Sequence, residues 1–153
     1  MKRIIFTFLI LFQGVCYSAE WYVFSNYTDD AFFYFDKSNI ENNQDSKTIW
    51  LMAIDTNYKK YKSDFKTINK ITFYCKSKKI WYLNQIEFDN KNKLIKQFGE
   101  KSTLDDVIPD TVMEGLFKKV CSKNFPYENG YDKVDGDVIH HAKQRSLLLN
   151  MNK

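Results

Sequence analysis

The run Ile71-Thr72-Phe73-Tyr74-Cys75-Lys76-Ser77-Lys78-Lys79-Ile80-Trp81-Tyr82-Leu83-Asn84-Gln85-Ile86-Glu87-Phe88 reads as two strands joined by a short polar turn. Ile71, Phe73 and Cys75 fall on one parity, Thr72 and Tyr74 on the other. Beyond the turn, Ile80, Tyr82, Ile86 and Phe88 share a parity with Asn84, while Trp81, Leu83, Gln85 and Glu87 share the opposite one. Side chains along a strand point alternately to the two faces of a sheet. This alternation, in β-branched and aromatic residues, therefore predicts an antiparallel hairpin.

The flanking sequence extends the pattern. On the N-terminal side, Trp21-Tyr22-Val23-Phe24-Ser25 and Ala31-Phe32-Phe33-Tyr34-Phe35-Asp36 are dense in strand formers, with turn-like Asn26-Tyr27-Thr28-Asp29-Asp30 between them. Ser38 to Ser46 is Asn-rich and reads as a loop. Lys47 to Ile54 is apolar on both parities at its centre, as a strand with two covered faces would be. Residues 55–65 are polar and read as a flexible loop or strand end. On the C-terminal side, Asp89-Asn90-Lys91-Asn92 is a second turn and Leu94 to Phe98 a short edge strand. The result is a meander of about six strands.

The period then changes. Thr111 followed three residues later by Glu114 is a capping box behind Pro109-Asp110. Val112, Met113, Leu116, Phe117, Val120 and Cys121 recur on one face of a helix, with Lys118, Lys119 and Lys123 near its C-terminal end, where the helix dipole favours cations. The expected fold class is α+β, an antiparallel sheet with this C-terminal helix packed on one face. From Phe125 the chain turns polar, with Pro126, Gly130 and Gly136. An extended tail of low order is expected there, with a short helix near 138–149.

Residues 1–19 follow the template of a cleavable export signal. Lys2 and Arg3 precede the apolar run Ile4 to Phe12, and small residues follow at Cys16, Ser18 and Ala19. The run is too short to span a bilayer, which takes about 20 helical residues. Cleavage after Ser18 places Cys16 and Ser18 at the −3 and −1 positions; cleavage after Ala19 places the bulkier Tyr17 at −3. Acylation of Cys16 is a third route, the only one that would tie the chain to a membrane, but Gln13-Gly14-Val15 is a poor lipoprotein box. The expected organisation is a signal peptide over 1–19, one domain over 20–124 and a polar tail over 125–153, in a protein exported to the periplasm or cell envelope.

Without the leader the chain keeps 21 basic and 19 acidic residues, a net +2, with lysines scattered rather than concentrated. A nucleic-acid partner is not expected on that distribution. Two cysteines also remain, Cys75 and Cys121. In an exported chain such a pair reads as one disulfide, with free thiols or metal ligation as the alternatives. A bridge between them would staple helix to sheet.

No catalytic residue, metal site or cofactor emerges. The two histidines, His140 and His141, lie in the tail and read as exposed. Asp29-Asp30 and Asp105-Asp106 read as turn and helix-flank residues, and Glu87 as a solvent-facing strand carboxylate. Aromatic residues make up 17 % of the chain, more than one small core needs. One helix covers only one face of a sheet, so Trp50, Tyr74 and Trp81, from a set that includes Trp21, Tyr22 and Tyr82, are candidates for an interaction surface. The alternative is a curled sheet that partly buries both parities.

The order of parts carries a resemblance. An aromatic strand pair ends in Tyr34-Phe35-Asp36. A strand centred on Trp50 follows, then one ending in Tyr74-Cys75 and one carrying Ile86-Glu87-Phe88-Asp89. Ile108-Pro109-Asp110-Thr111 opens a helix that ends in Val120-Cys121. Over about residues 20–123 this resembles the surface-adhesin protein E family of Gram-negative bacteria. The resemblance implies an antiparallel sheet, a helix on one side and a Cys75–Cys121 bridge. It also implies a non-enzymatic exported protein that binds another protein, either host matrix and serum proteins or another envelope protein, with dimers among its forms. No ligand-binding residue of the family is carried over. The second reading is a soluble periplasmic small-ligand-binding or accessory protein.

Overall fold

The structure is a computed structural model that describes residues 18–26, 31–57, 65–127 and 130–151. The leader with Cys16, most of the first turn (27–30) and much of the polar stretch around Tyr58 and Tyr61 lie outside the described residues. The strands are β1 (Trp21–Asn26), β2 (Ala31–Asp36), β3 (Glu41–Asn42), β4 (Ser46–Asp55), β5 (Lys66–Tyr74), β6 (Lys79–Phe88), β7 (Leu94–Phe98) and β8 (Asp105–Asp106). Six of them form an antiparallel sheet in the order β1-β2-β4-β5-β6-β7, with β3 pairing β4 and β8 pairing β6. Two helices follow, α1 (Val112–Val120) and α2 (Val138–Met151).

The deciding hairpin forms with Tyr74 opposite Lys79 and Phe73 opposite Ile80. Lys78 takes a left-handed backbone in its turn (φ 55). The strict alternation expected of β6 does not run its full length. The register passes from Ile71↔Tyr82 to Lys70↔Asn84, so Leu83 is an extra residue in a β-bulge. The bulge reverses the parity beyond it. Trp81 shares a face with Asn84, Ile86 and Phe88, while Ile80 and Tyr82 share theirs with Gln85 and Glu87.

α1 begins as its sequence predicts. The Thr111 hydroxyl accepts a hydrogen bond from the Glu114 amide at 3.2 Å, and the Glu114 carboxylate accepts one from the amide of Asp110. Leu116, Phe117 and Val120 are buried against Phe35, Ile49, Leu51, Ile71, Phe73 and Ile80. Each large side chain removed from water in this way contributes roughly 1.5–3 kcal/mol. Phe24, Phe35, Phe125 and Tyr131 complete this layer, with ring centroids 5.1–6.0 Å apart. Cys121 caps the end of α1 and is bonded to Cys75, the residue after β5, so the bridge fastens helix to sheet.

The C-terminal stretch is not the extended tail that its polarity suggested. Phe125 and Val134 are buried, and α2 packs on the opposite face of the sheet from α1. Val138 and Ala142 sit against Phe32, Tyr34, Met52, Ile54 and Phe65, with Ile139 and Leu149 at the margin. The start of α2 is fixed by the Asp137 carboxylate, which accepts from the Ile139 amide at 2.9 Å.

The disulfide joins two residues 46 positions apart in the sequence. Cross-linking a loop of that length removes denatured-state entropy worth about 4 kcal/mol. Urea unfolding with and without reductant is expected to differ by up to that amount, with the reduced protein weaker; coincident curves would show that the bridge contributes nothing.

Candidate functional site

Cross-strand pairs share a face, which fixes where the candidate aromatics lie. Thr48 faces Thr72, Trp50 faces Lys70, and Ser46 faces Tyr74 across β4 and β5. Across β5 and β6, Thr72 faces Trp81 and Tyr74 faces Lys79. Trp50, Tyr74 and Trp81 therefore occupy one side of the sheet, the side on which α2 packs. They lie outside the cluster that α2 covers, and all three are half-buried. Lys70 and Lys79 share this open quarter of the sheet.

The quarter is held by polar contacts beneath and beside the rings. The hydroxyls of Thr48 and Thr72 hydrogen-bond at 2.8 Å, and both threonines are buried. The Trp81 indole donates to the Lys101 carbonyl at 2.8 Å. The Lys70 ammonium lies 6.0 Å from the centre of the Trp50 ring and 2.8 Å from the Glu41 carboxylate. Lys79 pairs with Asp106 at 3.1 Å. Exposed pairs of this kind contribute about 0–1 kcal/mol each. Their larger effect is to hold side chains around the rings in fixed positions.

The other aromatics separate by face. Trp21 packs at the margin of the α2 cluster, and Tyr22 stacks on Phe35 in the α1 layer. Tyr82 lies on the α1 side, where Ile80, Leu104, Asp105, Ile108 and Met113 line an open concavity of about 650 Å³. Burial, with Asp105 nearby, pushes the Tyr82 hydroxyl above its ordinary pKa. Asp105 and Asp106 form β8 and pair with Lys101 and Lys79. Glu87 accepts from the Gln85 amide at 2.7 Å. Asp29 and Asp30 lie outside the described residues, among which no group of three or more potential metal ligands gathers.

The sheet, the stapled helix and the pairing of Cys75 with Cys121 agree with what the resemblance implies. The model of the surface-adhesin protein E family matches residues 21–122. The chain belongs to that family. No curated protein and no solved structure matches it. The match takes in the whole adhesin-E sheet, α1 and both cysteines, and ends before α2. Among the described residues no helix is long and apolar enough to cross a membrane.

The sequence reading missed what closes half of the second face of this adhesin-E fold. His140 is exposed as expected, but His141 is half-buried, with Nδ1 3.2 Å from the Tyr34 hydroxyl. With Nδ1 unprotonated, that hydroxyl donates to it. Burial pushes the Tyr34 pKa well above the usual tyrosine range, so the phenol stays a donor. Burial first and Arg145 second hold the His141 pKa below 6.5, with Asp132 opposing.

The folded state therefore favours neutral His141. Its contribution is complete above pH 6.5 and is lost as pH falls through the lower folded value. Urea midpoints measured from pH 7.5 down to pH 5 should decline in the wild type. The decline should be shallower in His141→Gln and unchanged in His140→Gln. Equal slopes in all three proteins would remove His141 from the linkage.

Proposed function

We propose that this protein is a non-enzymatic, exported envelope protein that binds another protein through the Trp50–Tyr74–Trp81 face. The observation that carries the reading is the family match over residues 21–122 together with the grouping of the three aromatics on the quarter of the sheet that neither helix covers. Two tryptophans and a tyrosine on a rigid sheet suit protein recognition. They bring large contact area at little entropic cost, and such residues dominate the energetics of interfaces. Lysines beside them favour a partner with acidic groups near an apolar patch. Host matrix and serum proteins are the class of partner that the family points to; another envelope protein is the other. Export would follow from the leader read over 1–19, and soluble release is favoured over acylation of Cys16.

A soluble periplasmic small-ligand binder is the second reading, favoured by the concavity beside Tyr82. The two separate by mutation. Binding to a panel of immobilised matrix and serum proteins should weaken about tenfold or more, roughly 1.4 kcal/mol, in Trp50→Ala and in Trp81→Ala, with circular dichroism unchanged. Ile108→Ala, on the other side of the sheet, should bind as wild type. Full binding by both tryptophan variants would rule out this face as the contact surface. A thermal shift with a small-molecule panel that Ile108→Ala abolishes would favour the second reading.

A further inference from the structure

Asp36 ends β2 and is 2 % exposed. Its Oδ1 accepts from the Glu20 amide at 3.0 Å, the Ser38 amide at 3.0 Å and the Ser38 hydroxyl at 2.6 Å, and its Oδ2 accepts from the Asn39 side-chain amide at 2.6 Å. Every one of these donors is neutral. The cations nearby are committed elsewhere, Lys133 to the Glu20 carboxylate at 2.7 Å and Lys37 to the rings of Tyr22 and Tyr127. A buried carboxylate without a counter-charge is costly.

Glu20 is also where the described chain first becomes tied to the fold. Ser18 and Ala19 are exposed. At Glu20 the amide reaches Asp36, the carbonyl accepts from the Lys37 amide at 2.9 Å, and the side chain holds Lys133. Of the described residues, cutting the peptide bond just before Glu20 would remove only the exposed Ser18 and Ala19, and it would turn the nitrogen already at Asp36 into an ammonium. Cutting one residue earlier would leave an amide at Asp36 and a free amine in solvent.

We propose that the chain is processed between Ala19 and Glu20, and that the new α-ammonium of Glu20 forms a buried ion pair with Asp36. A leader peptidase hydrolyses the Ala19–Glu20 bond. Water supplies the hydroxyl of the Ala19 carboxyl group and a hydrogen to the Glu20 nitrogen, which takes a further proton from solvent at neutral pH. The leader's departure thereby supplies a counter-charge that no ion pair among the described residues gives Asp36. The cut falls where Tyr17 stands at −3, against the preference for small residues there, so on this inference the folded chain's gain and the peptidase's side-chain preference point to different bonds.

The inference rests on the export reading, and the test keeps the two apart. The full chain Met1–Lys153 is expressed with its own leader in a Gram-negative host, and the isolated protein is analysed by intact mass and N-terminal sequencing. Glu20 as first residue is expected. A chain beginning at Ala19, or at an acylated Cys16, would overturn this inference and leave export standing; retention of Met1 would overturn both. The ion pair is read separately. An α-amine of ordinary pKa about 7.7–8.0 is raised by a buried carboxylate, so its contribution is complete below that value and is lost as pH rises through the folded one. Lys37 and Lys133 oppose the shift, while the Glu20 carboxylate and Asp135 favour it. Between pH 8 and 10 the folding equilibrium of the Glu20-first protein should weaken by about tenfold more than that of a chain released in vitro to begin at Ala19. Asp36→Asn in the Glu20-first protein should remove the difference. Matching pH profiles for the Glu20-first and Ala19-first chains would overturn the ion pair, whether or not Asp36→Asn folds.

Discussion

Strands β2 and β4 carry large apolar side chains on both parities, and the rest of the molecule is arranged around that constraint. Phe32 and Tyr34 point one way, Phe35 the other; Met52 and Ile54 alternate likewise with Ile49 and Leu51. A sheet of this kind cannot leave either face in water. Each buried phenylalanine gives up roughly 1.5–3 kcal/mol if exposed, and a small domain has only about 5–15 kcal/mol to lose. Both helices serve that need. α1 closes one face and is fastened there by Cys121–Cys75; α2 closes half of the other without a covalent tie.

The two attachments differ in kind. α1 is short, at nine residues, and a helix of that length is marginal in isolation. Its buried Leu116, Phe117 and Val120, its Thr111 cap and the disulfide compensate for that. α2 is longer but buries mostly small groups, Ala142 and Ser146 among them, while Leu147, Leu148 and Met151 remain exposed. Its docking therefore leans more on polar detail: His141 on Tyr34, Asp137 at its start and the backbone bonds that join Val23 to Asp132 and Trp21 to Val134.

That contrast explains what the sequence made legible. The central sheet and α1 follow from alternation and a capping box, because their buried positions are large and apolar; the exposed edge strand follows from the turn before it and its strand-forming residues. The docking of α2 was hidden because its inward positions, Val138, Ala142 and Ser146, are unremarkable, while its most hydrophobic residues face solvent. Polarity of the surrounding stretch then suggested a tail. The bulge at Leu83 was hidden for a different reason. No glycine marks it, and apolar residues stand on both parities of β6, so a reversal of register leaves the hydropathy pattern almost unchanged. At the candidate site, the types of residue were legible but their grouping was not. That Trp50, Tyr74 and Trp81 share a face depends on the pairing register of three strands.

The open quarter of the sheet has a geometric origin. Six strands about 4.8 Å apart make a surface roughly 24 Å across. A 14-residue α2 is about 21 Å long and 10–12 Å wide, so it covers one part of that surface and leaves another. It settles where β2 and the end of β4 present Phe32, Tyr34, Met52 and Ile54, flanked by Trp21 and Val23 of β1. What it leaves is the ground where Lys70 and Lys79 stand beside the rings and the buried Thr48 and Thr72 hydroxyls satisfy each other, so that a mixed surface tolerates water. A mixture of aromatic area and fixed polar groups is stable when bare and offers both contact area and hydrogen-bonding partners when covered. On this account the site is the part of the second face that the fold has no apolar reason to close.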